Sequence, residues 1–452
     1  MCLRHLVTSH FPQAAAVVER LTALRTENPA EFWFAGLFWS FWATLALFPI
    51  GYGWREVMPM VCLVFLLPYY RHAWARSVLA RLKVFPLFCC LWAMILIGVL
   101  FSAHPFDSLL HAGTGINKGF ILPFIAMECV REEKDLRRLV WACALACCWQ
   151  GADGVWQALS GQDFIMGYPL SSGRLTGSLG DYPVGNYIAL ALIPAAAIWF
   201  ILREKFDCAK SALLVAALLG PACFLLLGAA ARSGILALAA ALGLWCWLVR
   251  KGDSFPRRFF LSSAAPLCLL AVCFILTPRR GVATAVSIFD DGRWKLWELG
   301  WRVFCEHPWF GAGAGQYNTA FLALGLTPAS SDPITISHPH SLYLDMLYAH
   351  GIVGFIPGMI FLFGFLFWGY RRIRPGFLAE WKGKANGLYW RLAAAFLIGY
   401  AGWLANGIFG HDFYRTWWLA LAMIYLGIMT GAAVNGIRPD NGEERPSTAI
   451  TG

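Results

Sequence analysis

A chain of 452 residues that is 59% hydrophobic and only 14% charged cannot be an ordinary water-soluble domain, in which about a quarter of the residues are charged. The net charge of +10 lies in short loops between apolar runs, so it marks membrane topology and excludes a nucleic-acid-binding face. The fourteen cysteines are no disulfide scaffold: most lie inside apolar runs, as Cys62, Cys143, Cys147 and Cys223 do, and none forms a ligand-spaced C-x-x-C pair.

The apolar runs are long, which predicts an all-α polytopic membrane protein. Lipid offers no partner to backbone N–H and C=O groups, and a helix satisfies them internally, with roughly 20 residues needed per span. Residues 1–32 mix His, Arg, Glu and Pro without a continuous apolar core. They read as a cytoplasmic amphipathic lead-in, not as a cleavable signal. About twelve candidate transmembrane helices follow, at 33–53, 56–70, 84–102, 117–130, 136–158, 184–202, 211–229, 231–249, 257–277, 351–370, 388–408 and 415–434. Spans one to nine therefore occupy 33–277, and spans ten to twelve fall within 341–434. A polar tail over 435–452 reads as cytoplasmic and disordered.

Charge alternation orients the chain. With the N-terminus inside, the inner loops hold clusters such as Arg71, Arg76, Arg81 and Lys83, and Arg131, Lys134, Arg137 and Arg138. The opposite loops are nearly bare, with Arg55, Lys118, Arg174, Arg232 and Arg415. Both termini are then cytoplasmic. The longest polar stretch, 278–340, falls on the outer side. Within it, Trp294, Trp297, Trp301 and Phe304 have the spacing of an amphipathic helix lying in the membrane interface, and a second short helix is expected over 316–326. The chain has no internal repeat of the kind that builds two-fold transporters.

Charges on this sparse outer side point to chemistry. Arg174 stands in SSGRLTGSLGDYPVGNYIAL, Arg232 in GAAARSGIL and Arg293 in DDGRWKLW. The guanidinium fork suits phosphate oxygens, so three forks converging outside would receive a diphosphate; each could instead be an interface anchor or a local ion-pair partner. His338 and His340 end the outer loop in ISHPHSLYLD, where a neutral imidazole could take a proton from a hydroxyl nucleophile. Were that segment extended, the two rings would face opposite ways. Asp153 and Asp345 are the charges placed inside apolar runs, and Asp345 could partner a histidine.

From His340 the chain reads His, Ser, nine residues, Gly351, two residues, Gly354. This pattern resembles the signature of the O-antigen ligase and polymerase superfamily of bacterial membrane glycosyltransferases. The segments around Arg174, Arg232 and Arg293 resemble that family's other outer motifs, in order, from about residue 170 to 410. Tyr182 and Ala231 depart from its usual residues. The resemblance implies about twelve helices of the lipid-dependent (GT-C) glycosyltransferase type in the bacterial inner membrane, with a periplasmic active site. It implies an undecaprenyl-diphosphate-linked glycan as donor and lipid A–core oligosaccharide as acceptor, for lipopolysaccharide synthesis. No cofactor, metal or nucleotide is implied. Arg174, Arg232 and Arg293 would bind the donor diphosphate, His340 would be the base with His338 as near-equal second, and Gly351 and Gly354 would allow close helix packing. The rivals are an O-antigen polymerase, a protein O-oligosaccharyltransferase and, from another class, a membrane transporter.

Overall fold

The computed structural model describes residues 23, 25–115, 120–171, 173–180, 183–249, 293–323, 325 and 338–436, with Tyr52, Thr114, Gly115, Pro183, Arg232, Arg293 and Phe321 described by backbone alone. The expected ninth span (257–277), the tail from 437 and most of the lead-in lie outside these residues. Among those described, the fold is all-helical, and the only strand-like pairings are two isolated bridges, Gln162 with Pro169 and Ser171 with Arg174.

The helices of seven or more residues, in order, are α1 (Pro29–Ala46), α2 (Tyr52–Ala73), α3 (Pro86–Leu100), α4 (Pro105–Gly115), α5 (Leu122–Glu128) and α6 (Glu133–Ser160). Then come α7 (Pro183–Ala195), α8 (Cys208–Gly228), α9 (Arg232–Val249), α10 (Arg293–Glu306) and α11 (Tyr317–Ala323). The last three are α12 (Leu342–Trp381), α13 (Tyr389–Asn406) and α14 (Thr416–Asn435). Local chemistry sets many of the ends. Asn28 accepts the Glu31 N–H at 3.3 Å ahead of Pro29, and Asp207 accepts the Lys210 N–H at 2.8 Å, each relieving an orphan donor of a first turn. A reciprocal capping box between Glu132 and Asp135 opens α6, and Gly161 closes it in the left-handed conformation.

Four described stretches are long and apolar enough to cross a membrane: Val184–Arg203, Cys208–Gly228, Leu342–Trp381 and Thr416–Asn435. Gly53–Arg81 with Pro86–Leu100 forms a further pair bent by 84°, where two separate spans were expected. Among the described residues, the expected fourth span contains the short α5. Span ten was expected to begin at Gly351, but α12 begins nine residues earlier, so the motif glycine falls inside the helical segment.

Helix α14 is the centre of the fold, buried along nearly its whole length. It packs closely on α5: a Cβ at Gly431 would stand 2.2 Å from the Met127 carbonyl oxygen, so only glycine permits that approach. The outer layer shows the opposite pattern. On α6, Trp141, Leu145, Trp156 and Leu159 are exposed at helical spacing, while the opposite face is buried. A helix that is apolar on its exposed face as well as its packed face suits a lipid surround. At the end of the fold that the charge pattern places inside, Glu128 accepts the Val78 and Leu79 N–H groups, and Glu380 accepts those of Trp390 and Arg391, all at 2.9 Å.

Candidate functional site

The site lies at the end of the bundle where α12 and α14 begin and α13 ends. Residues 338–341 lead into α12, and the Leu342 N–H donates to the Gly407 carbonyl at 2.8 Å, fastening that entry to the end of α13. His340 has φ +52, one of two positive values among described non-glycine residues. The other is Ala230, in the turn just before Arg232. Such backbone is disfavoured for a residue with a Cβ and persists only where surrounding contacts hold it. The positive φ means the segment is not extended, so the opposite facing that an extended segment would impose on the two rings does not apply. The two rings lie side by side, with centroids 4.2 Å apart.

The residues that sequence reasoning passed over are on the loop between α13 and α14, G-H-D-F-Y-R. This loop is latched to α12 by Asp345, whose carboxylate accepts the Phe413 N–H at 3.0 Å. Asp345 thus serves the neighbouring loop and not a histidine. The latch brings Asp412 to 3.8 Å from the His338 Nε2, and Arg415 donates from Nε to Asp412 at 3.1 Å. Arg415 also approaches the His338 Nδ1 at 3.5 Å. Guanidinium has only donors, so Nδ1 of His338 is the acceptor there and its proton sits on Nε2, facing the carboxylate. Burial, with Arg415 assisting against Asp412, lowers the His338 pKa below its ordinary value. Burial would raise Asp412, but the His338 ring and the Arg415 guanidinium that face it outweigh burial and hold that carboxyl below its ordinary value. The available signal was compositional: a histidine, an aspartate and an arginine within five residues of a short outer loop.

On the other side of this loop, the Tyr414 hydroxyl meets the His350 Nε2 at 3.3 Å, and its ring stands edge-on to His111, centroids 5.3 Å apart. His111, from α4, is also lowered by burial. Farther round, Asn186 near the start of α7 contacts the His411 Nε2 at 3.3 Å and accepts the Ser233 hydroxyl at 2.7 Å. Ser233 follows Arg232 directly, so the turn carrying Arg232 is joined to the histidine loop.

Arg174 is half-buried, in a hairpin bridged to Ser171. The next N–H, of Leu175, donates to the Gly228 carbonyl at 3.2 Å, where α8 ends ahead of the Arg232 turn. The backbones at Arg174 and Arg232 therefore share one corner. Arg293 opens α10, whose expected amphipathic helix is present. Gly300 of α10 lies against Leu344 and Pro339. Between α10 and α12 runs an apolar groove of about 610 Å³, walled by Trp294, Trp297 and Trp301 on one side and by Leu344, Leu347 and Phe355 on the other. Ser341, beside His340, is at its wall.

The two motif glycines have different tasks from those expected of one helix face. Gly351 has φ +59 and ψ −173, which breaks α12. The loop after α10 enters that break: Ala312 and Gly313 donate to the Tyr348 and Ala349 carbonyls at 2.8 and 3.0 Å, and Ile352 and Val353 donate to the Pro308 and Trp309 carbonyls at 2.8 and 3.0 Å. Gly354 sits one turn beyond, against His350 and Ile97.

Residues 214–357 match a family model described as O-Antigen ligase. The chain is also 29% identical over 178 residues to an O-antigen ligase of Pseudomonas aeruginosa strain PAO1, an alignment covering 39% of this chain and 38% of that relative. The chain thus spans about two fifths of the length of the curated relative it matches. The family match contains Arg232, Arg293, His338, His340, Gly351 and Gly354; Arg174 and the 411–415 loop lie outside it.

Proposed function

We propose, from the premise that residues 214–357 place this chain in the O-antigen ligase superfamily, that it is a multi-pass inner-membrane glycosyltransferase. In this reading the donor is an undecaprenyl-diphosphate-linked glycan and the acceptor is lipid A–core oligosaccharide, both presented at the periplasmic face. The protein crosses the membrane about twelve times in a GT-C-like arrangement, with both termini inside. The observation that carries the reading is the convergence of His338 and His340 with Asp412 and Arg415 (3.8 and 3.5 Å from His338) beside an apolar groove of about 610 Å³.

Each part of the site has a role in that transfer. Arg174, Arg232 and Arg293 hold the donor diphosphate, and the groove beside α10 takes the first prenyl units. His340 accepts the proton of the acceptor hydroxyl as its oxygen attacks the anomeric carbon. The bond from that carbon to the phosphate oxygen breaks, and undecaprenyl diphosphate leaves with both electrons. Negative charge grows on the diphosphate as the bond breaks, so fixed guanidinium groups lower the barrier. Attack opposite the leaving group inverts the anomeric centre. His340 is preferred to His338 as base because the Nδ1 lone pair of His338 already faces Arg415. His338, Asp412 and Arg415 then position the neighbouring ring.

The test is an acceptor assay. Purified protein and lipid-linked glycan are offered rough lipopolysaccharide, fresh lipid-linked repeat or a Ser/Thr peptide. Transfer to rough lipopolysaccharide, reduced roughly 10²- to 10⁴-fold by His340→Ala, is the expected result. Transfer to the lipid-linked repeat or to the peptide instead would make the protein a polymerase or a protein O-oligosaccharyltransferase. No transfer to any acceptor by active-site-intact protein would remove the enzyme reading.

A further inference from the structure

A run of hydrogen bonds behind the site sets the protonation of a histidine that the proposed mechanism leaves unused. The Trp418 indole N–H donates to the Asn406 Oδ1 at 2.9 Å. An indole can only donate, so the orientation of the Asn406 amide is fixed. Its Nδ2 donates to the Asn186 Oδ1 at 3.3 Å, and that same oxygen accepts the Ser233 hydroxyl at 2.7 Å. The Asn186 amide is then fixed too, and its Nδ2 faces the His411 Nε2 at 3.3 Å. A donor facing Nε2 requires a lone pair there, so the neutral ring carries its proton on Nδ1. Protonating Nε2 would set N–H against N–H. Asn406 and Trp418 are fully buried, and Asn186 and Ser233 nearly so, so water does not scramble the order.

The Nδ1 of His411 is itself buried and has no hydrogen-bond partner among the described residues. Buried donors are rarely left so, and an exception calls for a partner. The His411 ring lies 6.4 Å from that of His338, and its network ends at Ser233, next to Arg232. We propose that His411 is a neutral hydrogen-bond donor to a diphosphate oxygen of the lipid-linked donor, its tautomer set by the Trp418–Asn406–Asn186 chain. This rests on the transferase reading for the identity of the ligand. It assigns His411 to binding and not to proton transfer, because a ring held neutral with Nε2 occupied has no free lone pair to act as a base. Burial and Arg415 also hold its pKa well below the ordinary histidine value.

Two substitutions separate this role from a structural one. In His411→Asn the amide nitrogen falls near the position of Nδ1, and the contact to Asn186 is lost. In His411→Gln the amide falls near Nε2, so the contact to Asn186 is kept and the Nδ1 donor is lost. Binding of undecaprenyl diphosphate to the full-length protein, read by native mass spectrometry, should weaken roughly ten- to a hundredfold in His411→Gln, the worth of one hydrogen bond to a charged group. His411→Asn should stay within about threefold of wild type, since its donor is retained. The opposite ranking, or equal loss in both, would mean that the network only holds the loop in place, and the proposal fails. Should neither variant fold, ¹⁵N resonances of the wild-type ring decide. A proton on Nδ1 whose signal moves on adding undecaprenyl diphosphate supports the assignment; a proton on Nε2, or no movement, overturns it. Wild-type protein that binds undecaprenyl diphosphate but transfers to no acceptor would sink the transferase reading and leave this one standing.

Discussion

Replacing Gly351 by alanine tests the joint that aligns the outer loop with the site. The residue has φ +59 and ψ −173, a region essentially reserved for glycine, and a side chain there costs about 1–3 kcal/mol in backbone strain. The new Cβ would stand 2.3 Å from the Trp309 carbonyl carbon and 2.5 Å from the Phe310 nitrogen. These are backbone atoms and cannot swing aside, so the loop entering the break must move. Four hydrogen bonds cross there, from Ala312, Gly313, Ile352 and Val353. Losing even two adds about 1–3 kcal/mol, for a total of about 2–6 kcal/mol on adding the strain. That is a large part of the 5–15 kcal/mol by which folded proteins are usually stable. The assay is thermal unfolding of detergent-purified protein followed by tryptophan fluorescence, with limited proteolysis of the loop at 308–314. A fall of roughly 2–6 °C is expected, at about 1 °C per kcal/mol for a chain of this length, with faster cleavage of the loop. Gly220→Ala is the control, since a Cβ at Gly220 meets nothing within 4 Å; it should melt with wild type or slightly above. If Gly351→Ala also melts with wild type and resists the protease, the break does not hold the loop.

Asp412→Asn removes the charge shared by His338 and Arg415. With the Arg415 side chain 40% exposed, the stability cost should be about 1–2 kcal/mol, below the usual figure for a fully buried pair. The loss of transfer should be larger than that cost explains, because His338 is no longer oriented; unchanged transfer would separate the triad from the chemistry. Alanine at Arg174, Arg232 or Arg293 should greatly reduce transfer while the protein still inserts, and lysine should restore it only in part, because an ammonium lacks the bidentate fork. Full transfer by all three alanine variants would eliminate the diphosphate role. For His338 the folded pKa lies below the unfolded one, so the unfolded chain takes up the proton first as pH falls. Its contribution to stability is therefore present above the unfolded value of about 6.5 and is lost as pH falls from there toward the lower folded value. Melting temperature measured against pH should show less of this acid-side loss in His338→Gln, and an identical profile would mean that burial does not hold the His338 ring below its ordinary value.

Composition and local periodicity were enough to predict an all-helical, apolar chain, the amphipathic helix at Trp294, Trp297 and Trp301, and the candidate arginines and histidines. These properties belong to single segments: a helix needs its own hydrogen bonds and one apolar face, and both are written within a few turns. What the tertiary structure decided is which polar groups meet. His338 and Arg415 are 77 residues apart in the chain and Asn186 and His411 are 225 apart, and no local pattern encodes such pairings. The same limit explains Gly351. A glycine among apolar residues reads as a small residue for helix packing, and only the arrival of the 308–314 backbone shows that its positive φ is what the fold requires. The order of donors from Trp418 to His411 depends on four side chains drawn from α7, α13, α14 and the loop before α14. It comes into being only when those helices pack and exclude the water that would otherwise satisfy each group separately.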